Sequence, residues 1–157
     1  MVERYSYKVD VLGPIPSAPT VTTQYQNKMP ELVVLVDKQN NQIGTADKDT
    51  VHTKTTPLHR AFSLFLFNSK NELLLTKRSS AKKTFPGVWT NTVCGHPAPE
   101  ESTTDAAKRR LKDELGITGV DIAEVSMFQY RASDQNGIVE NEICPITVGT
   151  YLSLIHI

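Results

Sequence analysis

Cys94 and His96 stand two residues apart in the segment Trp89–Pro97, which also holds the only tryptophan of the chain. If this segment is extended, its side chains alternate between faces, so Thr90, Thr92, Cys94 and His96 share one side. A thiol and an imidazole on one face can ligate a metal, form a nucleophile or act as an acid and base. A buried structural thiol beside a loop histidine has the same pattern, because free cysteine is usually buried.

Two further groups of metal-ligating residue types lie on either side of this segment in the sequence. His52 and His59 are seven residues apart and flank a threonine-rich loop, where surface histidines are the plainer reading. Glu140, Glu142 and Cys144 have the same parity and so share one face of any strand that contains them. Exposed carboxylates of an edge strand would look similar, but two carboxylates beside a thiol are an unusual surface.

Local cations are the third chemical feature of the sequence. Segment 77–83 contains four cations, Arg78 and Lys82 among them, directly before the Cys94 segment. The chain as a whole has 17 basic and 17 acidic side chains, so no overall field attracts it to nucleic acid. Binding of a small anion must therefore come from these local cations, through the guanidinium fork of arginine and the point charge of lysine.

Length and composition indicate one domain in an intracellular protein. A chain of 157 residues suits a single core, and two cysteines are too few for a disulfide framework. No apolar run has the length of a signal peptide or a membrane span, so we expect a cytoplasmic protein; organellar or peroxisomal targeting stays open. Residues 1–28 are polar and proline-rich and are predicted to form a flexible arm, followed by a domain over residues 29–157.

Hydrophobic alternation and turn signals predict the strands. Polar turns separate two pairs of strands, a loop lies around Pro57, and Asn136-Gly137 is a strong turn signal within a long hairpin. The predicted strands are Leu32–Val36, Ile43–Ala46, Ala61–Asn68, Glu72–Arg78, Ile122–Ala132 and Ile138–Tyr151.

One helix is predicted over Thr103–Leu115. Ser102 is a good N-cap and Gly116 supplies the stop. Ala107, Leu111 and Leu115 form the buried stripe. The neighbouring stripe is Ala106, Arg110 and Glu114, whose two charges form an ordinary surface ion pair in the simplest interpretation.

Segment 95–117 resembles the Nudix box, a loop and helix that bind divalent cations and diphosphates. Arg110 stands where the box has a Glu, and Asp113 replaces another Glu, so the carboxylates that a water-activating hydrolase needs are depleted. The resemblance therefore implies a Nudix fold with other chemistry. The matching positions are Gly95, Glu101, Arg109, Leu111, Asp113, Glu114, Gly116 and Ile117.

The wider resemblance, over roughly residues 31–150, is to the type 1 isopentenyl-diphosphate isomerases, which have a Nudix fold. The segments that carry it are His52–His59, Lys82–Pro97, Tyr130–Asp134 and Glu140–Pro145. It implies an α+β fold, a Nudix-like mixed β-sheet sandwiched by helices. Family members continue beyond the point that corresponds to Tyr151 and carry an active-site Trp there, so we expect the chain to be incomplete at its C-terminus and, as written, inactive or nearly so.

The resemblance also implies roles for individual residues. One divalent cation, Zn, Mn or Mg, is expected at His52, His59, His96, Glu140 and Glu142. A second cation, Mg in this family, is expected to bridge Glu114 and the substrate diphosphate. The diphosphate-binding cations are expected to be Lys48, Arg78, Lys82 and Arg110.

The implied reaction converts isopentenyl diphosphate to dimethylallyl diphosphate through a tertiary carbocation. Glu142, assisted by Tyr130, would protonate the alkene, and Cys94 would remove a proton from the opposite face. Two alternatives stay open, a Nudix diphosphate hydrolase and a non-catalytic module that binds a metal or a diphosphate. In each case the partner is a small molecule, with no nucleic acid and no membrane span.

Overall fold

The computed structural model describes residues 30–82 and 84–151. The predicted arm, residues 1–28, and the chain after Tyr151 lie outside the described residues, so the predicted domain boundaries remain predictions.

The described residues form nine strands and two helices. Seven of the strands build one mixed sheet, and the short strands β5 and β6 pair separately. The strands are β1 (Leu32–Val36), β2 (Gln42–Asp47), β3 (His59–Arg60), β4 (Phe62–Phe67), β5 (Thr76–Lys77), β6 (Trp89–Thr90), β7 (Val93–Gly95), β8 (Ile122–Ser133) and β9 (Val139–Thr150). The helices are α1 (Lys48–Val51) and α2 (Thr103–Leu115).

Strand β9 is the centre of the large sheet. One of its edges pairs antiparallel with β8 along almost the whole hairpin. Its other edge pairs parallel first with β3 and then with β4, which follow each other along β9. Strand β7 pairs antiparallel with β4, and β1 with β3. Residues from distant parts of the chain thus lie side by side across the middle of the sheet.

Helix α2 covers one face of this sheet. Ser102 Oγ accepts a hydrogen bond from the Asp105 amide, and Gly116 ends the helix at a φ of 68°, where glycine has no steric penalty. The predicted stripe is confirmed, since Ala107 and Leu111 are buried and Leu115 packs against the same core. The helix therefore has the predicted bounds.

One face of β4 lies in the hydrophobic core, and the other lies on the side of the candidate site. Phe62, Leu64 and Leu66 are fully buried in one core with the apolar stripe of α2. Ser63 lies between them in sequence and points the other way, where its hydroxyl contacts Cys144 Sγ at 3.3 Å. The face of the sheet opposite α2 therefore carries the polar side chains of the candidate site.

One predicted strand needs correction, and one element was missed. Glu72–Arg78 is not one strand: Leu73 makes a single bridge to Phe67, and the chain then leaves β4, so that only Thr76–Lys77 pairs, with β6. The one-turn helix α1 was not predicted. The mixed α+β sheet is confirmed, and among the described residues α2 supplies a helical layer on one of its faces. Within residues 30–82 and 84–151, no helix has the length and apolarity to span a membrane.

Candidate active site

Four of the predicted metal ligands converge on one place. One ligand atom from each of His52, His59, His96 and Glu142 lies within 4.8 Å of all the others. The four residues come from the C-cap of α1, from β3, from the residue after β7 and from β9. The parallel register of β3 and β9 sets His59 directly beside Glu142.

The distances between these atoms fit a divalent cation. The Nε2 atoms of His59 and His96 are 3.2 Å apart, and Glu142 Oε1 lies 3.5 Å and 3.3 Å from them, respectively. Metal–ligand bonds of about 2.1 Å require ligand–ligand edges of about 3.0 Å in an octahedron and about 3.4 Å in a tetrahedron. The three atoms therefore already have the spacing of a coordination shell.

The tautomer of His59 also suits the binding of a cation. Its Nδ1 lies 2.9 Å from the carbonyl oxygen of Pro57, which can only accept a hydrogen bond. Nδ1 must therefore carry the proton, and the lone pair of Nε2 faces the cluster. A backbone carbonyl that fixes a histidine in this way is a common support for a metal ligand.

Burial disfavours the charged form of two imidazoles of the cluster, those of His52 and His96. Burial, reinforced by charge on His96 and His59, lowers the pKa of His52 to about 4, and burial is also the main cause of the lowered pKa of His96. Burial alone would raise the pKa of Glu142, but its interactions with His59 and His96 outweigh burial and hold that pKa well below its usual range. Neutral imidazoles with one carboxylate form a donor set for a divalent cation of the Zn, Mn or Mg kind.

Tyr130 connects the two carboxylates of β9. It lies opposite Glu142 in the register, and its hydroxyl is 2.7 Å from Glu142 Oε2 and 3.1 Å from Glu140 Oε2. Burial, with the charges of Glu142 and Glu140, raises the pKa of the Tyr130 hydroxyl, so this group stays protonated. Tyr130 is thus a hydrogen-bond donor beside a carboxylate that could bind a metal.

Glu140 is the predicted ligand that lies outside the four-residue ligand group in this structure. It precedes Glu142 by two residues in β9, which corresponds to about 6.8 Å of strand. Its carboxylate instead interacts with the Tyr130 hydroxyl and the side chain of Thr84. Burial and the charge of Glu142 raise the pKa of Glu140.

Cys94 is half-buried and borders the same pocket. Burial raises the pKa of its thiol, although Arg78, whose Nη1 is 3.9 Å from Sγ, acts in the opposite sense. The expected common face of Thr90, Thr92, Cys94 and His96 is wrong at Thr92. The strand is interrupted there, and the buried Thr92 hydroxyl bonds the backbone of two neighbouring segments instead.

A pocket of about 610 Å³ joins these groups to all four predicted diphosphate-binding cations, Lys48, Arg78, Lys82 and Arg110. Three of them have protein partners. Lys48 Nζ lies 2.7 Å from a carboxylate oxygen of Glu31, Arg78 bonds the backbone and hydroxyl oxygens of Thr84, and Arg110 forms an ion pair with Glu114. The predicted cation ligand Glu114 is therefore engaged by Arg110 and is not among the residues that line the pocket.

Sequence reasoning missed two features of the site. Arg109 clasps both carboxylate oxygens of Glu101 at 2.7 and 2.8 Å and reaches the His96 carbonyl oxygen at 3.4 Å, so it braces the segment that carries a ligand. The pocket also has an apolar wall, whose members include Phe85, Val88, Phe128 and Ile138. Of these, Phe128 could have been found from its parity with Tyr130 on one strand.

The sequence profile of the Nudix domain family matches residues 57–151. The chain is also similar to three proteins named isopentenyl-diphosphate Delta-isomerase. It is 58% identical to that of Corynebacterium glutamicum strain R over 74% of this chain and 64% of the relative. It is 50% identical to that of Salmonella paratyphi B, over 81% of this chain and 71% of the relative. It is 48% identical to that of Mycolicibacterium vanbaalenii, over 83% of this chain and 73% of the relative.

The chain spans 64% of the length of the Corynebacterium glutamicum relative. Among solved structures, the crystal structure of DR0079 from Deinococcus radiodurans is similar at a TM-score of 0.60 and 18% identity. The match covers 77% of this chain and 72% of that one. At this identity the likeness concerns the fold alone, and it agrees with the mixed sheet described above.

Proposed function

The chain belongs to the Nudix family and, within it, to the isopentenyl-diphosphate Delta-isomerases, and we propose that it carries the active site that converts isopentenyl diphosphate to dimethylallyl diphosphate. One observation carries this proposal: a metal-ligand group, a tyrosine–carboxylate pair, a thiol and four cations all border or adjoin one pocket. Together they supply an acid, a base and a diphosphate-binding group, which an allylic proton shift on a diphosphate ester uses.

His52, His59, His96 and Glu142 would hold one divalent cation, with Glu140 as a further ligand after a change of its side-chain torsions. When bound, that cation supplies positive charge that orients Glu142 and polarises its carboxyl group. The choice among Zn, Mn and Mg belongs to the proposal, because nitrogen and oxygen donors accept all three.

Lys48, Arg78, Lys82 and Arg110 would hold the diphosphate. Lys48 is paired with Glu31, and Arg110 is paired with Glu114. Phosphate oxygens of the substrate can take the place of both carboxylates, because they are anionic hydrogen-bond acceptors of the same kind. The released Glu114 would then share a magnesium ion with the diphosphate. Arg110 supports this role further, because its Nε is buried without a protein partner among the described residues.

Glu142 and Tyr130 form the acid side of the reaction. A proton from Glu142, oriented by the Tyr130 hydroxyl at 2.7 Å, adds to the terminal alkene carbon and leaves the positive charge on the tertiary carbon. Glu142 must be protonated at that moment. The nearby Glu140 and the negative substrate both favour its protonated form, because like charges oppose ionisation.

Cys94 forms the base side. Its thiolate would take a proton from the carbon between the cation and the diphosphate-bearing carbon, and the electron pair of that C–H bond closes the new double bond. Substrate and product therefore have the same proton count, and exchange with solvent returns the proton from Cys94 to Glu142. The high pKa that burial imposes on the thiol makes its thiolate a strong base.

The test is to supply the purified full-length protein, loaded with magnesium and with manganese or zinc, with isopentenyl diphosphate in heavy water. We expect dimethylallyl diphosphate that carries deuterium in a methyl group, without release of phosphate. Glu142→Gln, which keeps the shape of the side chain, should abolish the conversion. Phosphate release without isomer would favour the hydrolase alternative, and substrate binding without either product would favour the non-catalytic one.

A further inference from the structure

The key side chains of the site face lie along two lines across the sheet. One is a row that runs Tyr130, Glu142, His59 across β8, β9 and β3. The other is diagonal: Phe128 pairs with Cys144, the Cys144 sulfur contacts the Ser63 hydroxyl at 3.3 Å, and Ser63 pairs with Cys94. It steps two residues along β9, because Ser63 lies opposite Ile146 in the register. The proposed acid Glu142 therefore lies on the first line, and Phe128 and Cys94 stand at the two ends of the second.

The ring of Phe128 is partly exposed although another aromatic ring packs against it. Phe128 remains 42% exposed, yet its ring stacks on that of Tyr130, with centroids 5.5 Å apart and an angle of 26° between the planes. The ring also borders the pocket together with Cys94 and Glu142. A neighbouring ring therefore holds it in place, while part of its surface stays open to whatever occupies the pocket.

The space between Phe128 and Cys94 can hold a small hydrocarbon. Three strand spacings of about 4.8 Å and a step of about 6.8 Å along the strands separate the two residues, which is about 16 Å between their backbones. Both side chains project from the same face of the sheet and border the pocket. A five-carbon chain held above Cys144 and Ser63 would have its tertiary carbon towards the ring and the proton-accepting sulfur on its other side.

We propose that Phe128 is a catalytic residue whose ring contacts the hydrocarbon part of the substrate and stabilises the positive charge of the tertiary carbocation. The negative face of an aromatic ring attracts a cation, and the attraction grows when water is excluded. A phenyl ring is also a poor nucleophile, because it offers no lone pair that would capture the carbocation. This role rests on the proposed isomerisation, since only that reaction places a carbocation in the pocket.

The first experiment measures binding alone. The probes are a diphosphate ester that ends in a trimethylammonium group and its uncharged isostere that ends in a tert-butyl group, titrated by calorimetry into the metal-loaded protein. Their shapes match, so the ratio of their Kd values reports charge. We expect the charged ester to bind roughly tenfold more tightly to the native protein. The ratio should fall towards one in Phe128→Leu and persist in Phe128→Tyr, which keeps a ring.

The second experiment replaces Phe128 with monofluorinated and trifluorinated phenylalanine. Fluorine weakens the negative face of the ring while its shape and its packing on Tyr130 are nearly kept. The turnover number for isopentenyl diphosphate should fall stepwise, by about tenfold for the trifluorinated ring, with KM and melting temperature unchanged. An equal turnover number for all the fluorinated rings would overturn the proposal, even if Phe128→Leu is slow. The ring would then serve only to pack against Tyr130.

The two proposals fail in different ways. Native protein that turns over isopentenyl diphosphate but binds both probes equally would overturn the role of Phe128 and leave the proposed isomerisation intact. Native protein that binds neither diphosphate ester would overturn both, because a pocket that does not accept diphosphates cannot hold the substrate.

Discussion

The Nε2 atoms of His59 and His96 lie 3.2 Å apart, although 37 residues separate the two histidines. The Nδ1 proton of His59 is fixed by the Pro57 carbonyl, so its Nε2 presents a lone pair towards His96. Such a pair is stable in a buried place only if His96 donates a proton or a cation lies between the two rings. Glu142 beside both nitrogens favours the cation.

Removal of either histidine should therefore weaken metal binding more than any change to a supporting residue. His59→Ala and His96→Ala are each expected to lower the affinity for zinc or manganese by more than about 100-fold, a loss beyond the usual effect of outer-shell changes. Isothermal titration with each metal measures this loss. Glu124→Gln removes an exposed carboxylate of β8 and should bind normally. Near-native affinity in either alanine variant would contradict the metal site.

The clasp between Arg109 and Glu101 should influence the metal through the position of His96. Arg109→Ala leaves the Glu101 carboxylate and the His96 carbonyl without their guanidinium partner. We expect metal affinity to fall by about 10-fold, because the change lies one step outside the ligand shell. Lys108→Ala removes an exposed cation from the same helix and serves as the control. If both variants bind metal equally well, the clasp supports only the fold.

Cys94→Ala and Glu142→Gln should each lower isomerase turnover by about 10²- to 10⁴-fold, the range that a positioned acid or base contributes. Each variant removes one end of the proposed proton shift, while the melting temperature of Cys94→Ala should stay close to that of the native protein. Cys144→Ala is the matched control, because Cys144 is the other thiol of the site face and has no role in proton transfer. Turnover within a few-fold of native in Cys94→Ala would exclude this thiol as the base.

The pKa of His52 predicts a pH dependence of stability in the metal-free protein. Folding lowers this pKa from 6.5 to about 4, so the unfolded chain binds more protons between these values. The stabilising contribution is therefore complete above pH 6.5 and is lost as the pH falls towards 4. The melting temperature should drop between about pH 7 and about pH 5, and His52→Gln should reduce that drop. An equal drop in both proteins would show that His52 does not titrate in this window.

The helix and the long hairpin were predictable because local signals specify them. Ser102 and Gly116 mark the two ends of α2 by their own capping preferences, and Asn136-Gly137 marks a turn between two strands of alternating pattern. Glu72–Arg78 was predicted wrongly because its apolar residues suit a strand, but pairing partners exist only for its two ends. Whether a short apolar segment pairs is decided by its neighbours in space.

The sequence by itself determined which side chains are available: three histidines, two carboxylates, a thiol and a set of cations, each on or beside a short recognisable element. Only the tertiary structure decided which atoms meet. Strand β9 places Glu142 beside His59, leaves Glu140 outside the ligand group, and pairs with Phe128, which borders the same pocket as Cys94. The physical reason is that capping and alternation act over a few residues, whereas strand register and core packing join segments that are far apart in the chain.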